Sequence, residues 1–334
     1  MKTLFRKSMY QKLDNTELKN IKFKPKFIKS KKKKYILILL IIFILFYISY
    51  FINKLIYIIF SPNKNKNLKI CLCVIAKSEN LYAKEFVNHY KKLGYNHIYL
   101  YDNNDENDEK YEDVLQDDIN SNFVTIVNIR GMVKGQCYAY IDCYGKHHKE
   151  YDWLSFFDMD EFLEVKANNI QEFVTNPRYE NCVVIKVNQL FYSDNELLYY
   201  DNRTLQERFT TPLYKSYSNI WAKVTVQGGI NENYWSIGCT PHTSKFNVTN
   251  CDSTGQIVGF GQLSTKPNFT YASLKHYYTK TAEEYFIKSS RGSAFNKVAW
   301  DKNRKLFKYK LFFSYNKKTK EKDALIKKLF NMTL

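Results

Sequence analysis

The 334-residue chain has no internal repeat and no cysteine–histidine cluster at zinc-finger spacing, which excludes a repeat array and a zinc-stapled module. No small-residue cleavage site follows its long apolar run. That run also exceeds the apolar region of a secretory leader, so a cleaved signal peptide is excluded. Acids are scarce at the start, where residues 1–34 hold only Asp14 and Glu17 against thirteen Lys and Arg. Of the net +18, this tail carries +11 and the remaining 300 residues carry +7. A basic tail can hold nucleic acid or anionic lipid. Its position directly before an apolar run selects lipid, and no nucleic-acid partner is expected.

What is present begins with that run, residues 35–60, interrupted only by Ser49, Asn53 and Lys54. Residues 35–52 contain no charge and no polar face, and as a helix they span about 27 Å, close to a bilayer core. An uncleaved anchor is expected. The lysines at 31–34 place the N-terminus in the cytoplasm by the positive-inside rule. The expected plan is a basic cytoplasmic tail (1–34), an anchor (35–60), a stem (61–68), a catalytic domain (69–300) and a basic helical extension (301–334). This is a single-pass type II protein, in the Golgi or secretory lumen if the cell is eukaryotic. All seven cysteines follow the anchor, where disulfides persist. Cys239 and Cys251, separated by a polar stretch, are the expected pair, with Cys71 and Cys73 as small buried residues of a strand. Sequons occur at Asn202, Asn247, Asn268 and Asn331.

Past the stem, residues 70–76 form a continuous apolar run, as in a strand buried on both faces. A helical pattern over residues 81–93 stops at Gly94. Strands are expected at 97–101, 123–129, 152–157 and 182–188, and helices at 111–118 and 135–150. Residues 203–245 suggest short strands and turns. Thr281 and Glu284 form a capping box. The order implies an α/β fold whose sheet has helices on both faces.

Ligands of such sheets bind beyond the carboxyl ends of strands. Polar clusters follow three strand ends, at residues 77–80, 102–104 and 158–161. In the third, an apolar strand delivers Asp158 and Asp160 two residues apart. Such a pair is a hard oxygen site for Mn²⁺ or Mg²⁺, and the bound cation makes a diphosphate a better leaving group. A haloacid-dehalogenase-type phosphatase also carries D-x-D after an apolar strand. That motif usually has Thr or Val where Phe162 stands, and it lies on the first strand.

Four blocks in order then resemble glycosyltransferase family 92 and its family-2-like relatives: VIAKSENLYAKEFVNHYKKLGYNHIYLYDN, GQCYAYIDCYGKHHKEYDWLSFFDMDEF, WAKV with a later PHTSK, and LKHYYTKTAEEYFIKSSRG. Ser78 stands where Asn is common. The resemblance implies a GT-A fold, a Rossmann-like mixed sheet. It implies metal-dependent, inverting transfer of a hexose from a nucleotide diphosphate, with UDP-galactose the example, to a glycan or glycoconjugate hydroxyl. It implies Asp158, Asp160 and His276 at the metal. Glu79 and Asp102 face the nucleoside, and Lys77 contacts phosphate. Lys280, Lys288 and Arg291 clamp the diphosphate. His242, Trp221, Lys223 and Trp235 lie in the acceptor half. The base that accepts the acceptor's proton is open among Glu161, Asp194, Asp201, Glu232 and Asp252. A non-catalytic, lectin-like protein that keeps the fold is the alternative.

Overall fold

The computed structural model describes residues 35, 38–51, 67–230, 248–259, 261, 266–292 and 300–332. It has two compact units, residues 1–66 and 67–334. In the first, residues 38–51 are helical with exposed apolar side chains. Among the described residues no helix is long and apolar enough to cross a membrane, and residues 52–60 of the expected anchor lie outside them.

The second unit alternates strands and helices. The elements are β1 (Ile70–Ala76), α1 (Asn80–Leu93), β2 (His97–Asp102), α2 (Glu112–Asn120), β3 (Val124–Asn128), α3 (Gly135–His147) and β4 (Trp153–Asp158). There follow β5 (Glu161–Val165), α4 (Ile170–Val174), β6 (Val184–Phe191), α5 (Leu205–Arg208) and β7 (Ala222–Gln227). The last are β8 (Asn250–Asp252), β9 (Ile257–Val258), β10 (Ala272–His276), α6 (Ala282–Ser290), α7 (Lys302–Tyr315) and α8 (Lys320–Leu329). The sheet runs β3-β2-β1-β4-β7-β6-β10-β5, with β8 and β9 branching from β6. Its first four strands are parallel, whereas β7 is antiparallel to both β4 and β6.

Strand β1 is buried along its whole length, and its side chains alternate between two cores. Leu72 and Val74 join Phe86 and Tyr90 of α1, while Cys71, Cys73 and Ile75 join Tyr140 and Cys143 of α3. Helices therefore cover both faces. Helix α1 ends where Gly94 adopts φ +92°, a left-handed conformation that L side chains resist. The registers align the ends of three strands, since Ala76 pairs with Asp102 and Ile75 with Asp158.

The disulfides differ from expectation. Cys251 pairs with Cys182, not with Cys239, which lies outside the described residues. Cys73 is bonded to Cys143 and so ties β1 to α3, while Cys71 is a free, buried thiol that burial pushes well above its ordinary pKa. Sequence spacing could not find these pairs, because the sheet brings together residues about 70 positions apart.

Candidate active site

Asp158 ends β4, and a tight turn through Met159 and Asp160 leads directly into β5. Met159 is fully buried and anchors this turn in the core. Both carboxylates reach the wall of a cavity of about 300 Å³ at the aligned strand ends. Each has its own counter-charge. Lys223 of β7 donates to Asp158 Oδ2 at 2.7 Å, and the Tyr140 hydroxyl of α3 donates to Asp158 Oδ1 at 2.9 Å. Lys280 donates to Asp160 Oδ2 at 3.2 Å, and Lys288 of α6 donates to the same oxygen.

Burial alone would favour the neutral acids. The lysines outweigh it, so Asp158 is held below the usual carboxylate range by Lys223, and Asp160 well below it by Lys280 and Lys288. Glu161 behaves oppositely. It is fully buried behind the pair, and burial pushes its carboxyl up to about 8 against the pull of Lys223. It accepts hydrogen bonds from the Asp158 N–H at 2.8 Å and from the Gln189 amide. His276 on β10 faces Glu161 across the ladder, with Nε2 3.6 Å from Asp160 Oδ1. Burial keeps its ring neutral, and its Nδ1 has no hydrogen-bond partner among the described residues.

The rest of the wall is cationic. Lys77 follows β1, Lys288 and Arg291 come from the end of α6, and Arg304 and Lys308 come from α7. Arg304 and Lys308 lie four residues apart, the spacing that puts two side chains on one helical face. Burial first, then Lys288 and Arg304, push the Lys308 ammonium down to about 8. Glu79 stands apart from the aspartates, paired with Arg291 at 3.1 Å. Five cations thus face three carboxylates, an environment suited to a polyanion carrying more charge than one phosphate. A neighbouring cavity of about 250 Å³ shares Glu79, Lys288 and Arg291 with this one.

The model of glycosyltransferase family 92 matches residues 66–311. The chain belongs to glycosyltransferase family 92. A family 92 protein of Ricinus communis is 27% identical over 109 residues, covering 32% of this chain and 19% of that protein. One of Oryza sativa subsp. japonica is 24% identical over 121 residues, covering 34% and 20%. The matches take in about a fifth of the length of these curated relatives. Among solved structures, the mannosyltransferase PcManGT of Pyrobaculum calidifontis, in complex with GDP-Man and Mn²⁺, is 11% identical with a TM-score of 0.37, covering 76% of this chain and 74% of its own. Residues 1–349 of TarS from S. aureus are 11% identical with a TM-score of 0.34, covering 79% and 71%.

In this family 92 chain the expected site residues divide into two groups. Lys77, Glu79, Asp158, Asp160, Lys288 and Arg291 share the larger cavity, and Lys280 lines its neighbour while reaching Asp160. His276 lies behind Asp160, off the wall. Asp102 is not on the wall either. Its oxygens accept from Arg130 at 2.8 Å and from the Asn104 N–H at 2.9 Å, so it braces the loop after β2.

The candidate bases are dispersed as well. Asp194 is buried against Lys322, Asp201 pairs with Arg203 at the surface, and Asp252 caps a turn through Thr254. Glu232, His242 and Trp235 lie outside the described residues. Lys223 does not belong to an acceptor half, because it is fully buried between Asp158 and Glu161. Trp221, just before β7, does not reach the cavity wall. Tyr140, Tyr278, Arg304 and Lys308 escaped the sequence reading. For Arg304 and Lys308 a signal existed, their i, i+4 spacing within the expected basic helical extension.

Proposed function

We propose that this chain is a metal-dependent, inverting glycosyltransferase of GT-A architecture. It moves a hexose from a nucleotide diphosphate, UDP-galactose being the example, to a hydroxyl of a glycan or glycoconjugate. One observation carries the reading: two ionised carboxylates at a strand end share a cavity wall with five cationic side chains in a family 92 chain.

The donor chemistry of the residues suits Mn²⁺ or Mg²⁺. Asp158 and Asp160 are ionised, and the neutral His276 ring holds Nε2 3.6 Å from Asp160 Oδ1. Among the described residues no three His, Cys, Asp or Glu side chains are already gathered to hold an ion, and lysines balance the carboxylates. When bound, the metal would neutralise charge on the departing diphosphate. Lys77, Lys288, Arg291, Arg304 and Lys308 neutralise the rest and orient the donor. Besides the aspartate pair, Glu79 is the carboxylate on the described wall, where its ion pair with Arg291 positions that guanidinium for the donor.

The decisive experiment uses the full chain in detergent. Mn²⁺ binding is read by calorimetry, and nucleotide release is read across sugar nucleotides with a glycan panel. Metal binding that vanishes in Asp158→Asn and Asp160→Asn, with matching loss of release, is expected. A wild-type chain that binds neither metal nor sugar nucleotide would favour the lectin-like alternative.

The reading includes a type II anchor with the catalytic unit on the lumenal side. Its support is the apolar run, the lysine flank and the disulfides, which persist outside the cytosol. Proteolysis of sealed vesicles should cut the N-terminal tail and spare the catalytic unit, and the reverse pattern would refute this orientation.

A further inference from the structure

A third cavity, of about 190 Å³, lies on the other face of the β5–β10 ladder from the carboxylates. The register establishes this. His276 faces Glu161 and Leu274 faces Leu163, whereas Ser273 faces Glu164 and Lys275 faces Phe162. Successive side chains of a strand point to opposite faces. Gln189, opposite Leu274, donates to Glu161 and so shares the first face, which puts Leu190 on the second. Glu164, Leu190 and Ser273 line this cavity, Val165 and Ala272 close it where the ladder ends, and Lys275 pairs with Glu164 at 3.3 Å on the second face. From Glu161 to Glu164 the strand advances about 10 Å. The cavity shares no residue with the two at the strand ends.

Four aromatic rings line its walls. Tyr214 and Phe269 meet edge to face at 6.1 Å, and Tyr192 packs on Tyr277 at 5.2 Å. The guanidinium of Arg178 lies 3.3 Å over the Tyr271 ring. Tyr214 is nonetheless 64% exposed, and the Glu164 side chain 58%. Among the described residues, the hydroxyls of Tyr192, Tyr214 and Tyr271 make no hydrogen bond. Rings with unused hydroxyls, beside a carboxylate and a lysine, suit a ligand with apolar C–H faces and a rim of hydroxyls. A phosphate would meet Glu164 unfavourably. A wholly apolar ligand would strand Glu164 and Lys166 without water.

We propose that this cleft is a second sugar subsite. It holds a neutral hexose unit of the acceptor glycan, remote from the unit that receives the new sugar. The inference rests on the proposed glycosyl transfer. Strand β5 ends the sheet, and α1 covers its edge only as far as Leu163 in the described contacts, so an oligosaccharide meets both faces by passing the edge at Glu164 and Val165.

The test uses the full chain in detergent, with short and long neutral galacto-, gluco- and manno-oligosaccharides as probes. Binding is read by saturation-transfer NMR and transfer by steady-state kinetics. Tyr214→Ala and Tyr271→Ala should each weaken binding of long oligosaccharides and raise their KM about ten-fold, the loss of one stacking contact. Neither should change kcat, donor hydrolysis or the KM of short acceptors. Variants that match wild type at every length, in an active enzyme, would overturn the subsite and leave the function standing. An inactive wild type would overturn the function, and the NMR arm would then decide the cleft alone. Asn268 of the sequon adjoins Phe269. Binding that appears only in Asn268→Gln protein would assign the cleft to the chain's own glycan and overturn the acceptor assignment.

Discussion

Asp160 is surrounded by more counter-charge than Asp158. Lys280 and Lys288 share one of its oxygens and His276 stands near the other, whereas Asp158 divides Lys223 with Glu161. The Asp160 side chain is also 3% exposed against 38% for Asp158. Asp160→Asn therefore leaves the buried Lys280 ammonium and the partly exposed Lys288 ammonium facing a neutral amide. Breaking a buried pair costs about 3–5 kcal/mol, while water screens the more open partner. Both Asn variants should lose turnover, and Asp160→Asn should also melt at a clearly lower temperature than Asp158→Asn. Equal thermal midpoints would contradict this division of charge. Ser78 poses a smaller, separate question. Its φ of +48° lies in the left-handed region, which Asn enters more readily than Ser. Its N–H donates to the Asn104 side chain at 2.5 Å, so the conformation is held by the loop after β2. Ser78→Asn should raise stability by roughly 0.5–1 kcal/mol in chemical denaturation, because the backbone already demands that conformation. A loss of stability would show that the Ser78 hydroxyl, 3.3 Å from Asp108, matters more than the backbone.

At the scale of elements, α6 carries Lys288 and leads into Arg291, so what fixes α6 fixes the cationic wall. Its N-terminus is closed by the capping box of Thr281 and Glu284. Glu284 also receives two guanidinium bonds from Arg208 of α5, at 2.7 and 3.0 Å, and one from the Tyr82 hydroxyl of α1 at 2.6 Å. One carboxylate thus joins three helices. Burial pushes Glu284 up, and the bonds from Arg208 and Tyr82 more than reverse this, so its folded pKa lies below the ordinary value. The pairing therefore stabilises the fold fully above the unfolded pKa of about 4.3 and is lost as pH falls through the folded value. Glu284→Gln should cost about 3–5 kcal/mol at neutral pH, Tyr82→Phe about 1 kcal/mol, and the gap between wild type and Glu284→Gln should close on acidification. A gap independent of pH would mean that Glu284 acts only by its shape. These contacts also show which parts of the molecule were legible in advance. Strands β1, β2 and β4 are apolar runs that end at polar clusters, and α1 has a periodic face and a terminal glycine, so local pattern was enough. The capping box was legible for the same reason. Strands β5 and β10 were not, because Glu161 and His276 interrupt their apolar pattern and they exist by pairing across more than a hundred residues. Lys223 was misread because its role depends on Asp158, 65 positions earlier.

For the whole molecule, the two disulfides between described residues and the charge distribution bear on the same question. Cys73–Cys143 joins the central strand to α3, and α3 supplies Tyr140 to Asp158. Cys182–Cys251 joins the approach to β6 to β8. Neither crosslink persists in a reducing cytosol. A chain folded on the cytoplasmic side would therefore lose both, while one folded on the far side of the membrane from the lysine tail would keep them. Each bond closes a loop of about 70 residues and restricts the unfolded chain, worth about 2–4 kcal/mol. Replacing Cys73 and Cys143 together by Ser should lower the thermal midpoint by roughly 5–15 °C, given the usual few degrees per kcal/mol for a domain of this size. It should also slow turnover beyond the stability loss, since α3 then holds Tyr140 less firmly against Asp158. The Cys182, Cys251 double Ser variant should lose comparable stability while keeping the wild-type turnover of its folded fraction, because that bond lies away from the carboxylates. If both variants lost turnover equally at matched folded fraction, the link from Cys143 through α3 to Asp158 would be refuted. If neither lost stability, the crosslinks would be dispensable and a chain folded in a reducing compartment would be equally stable.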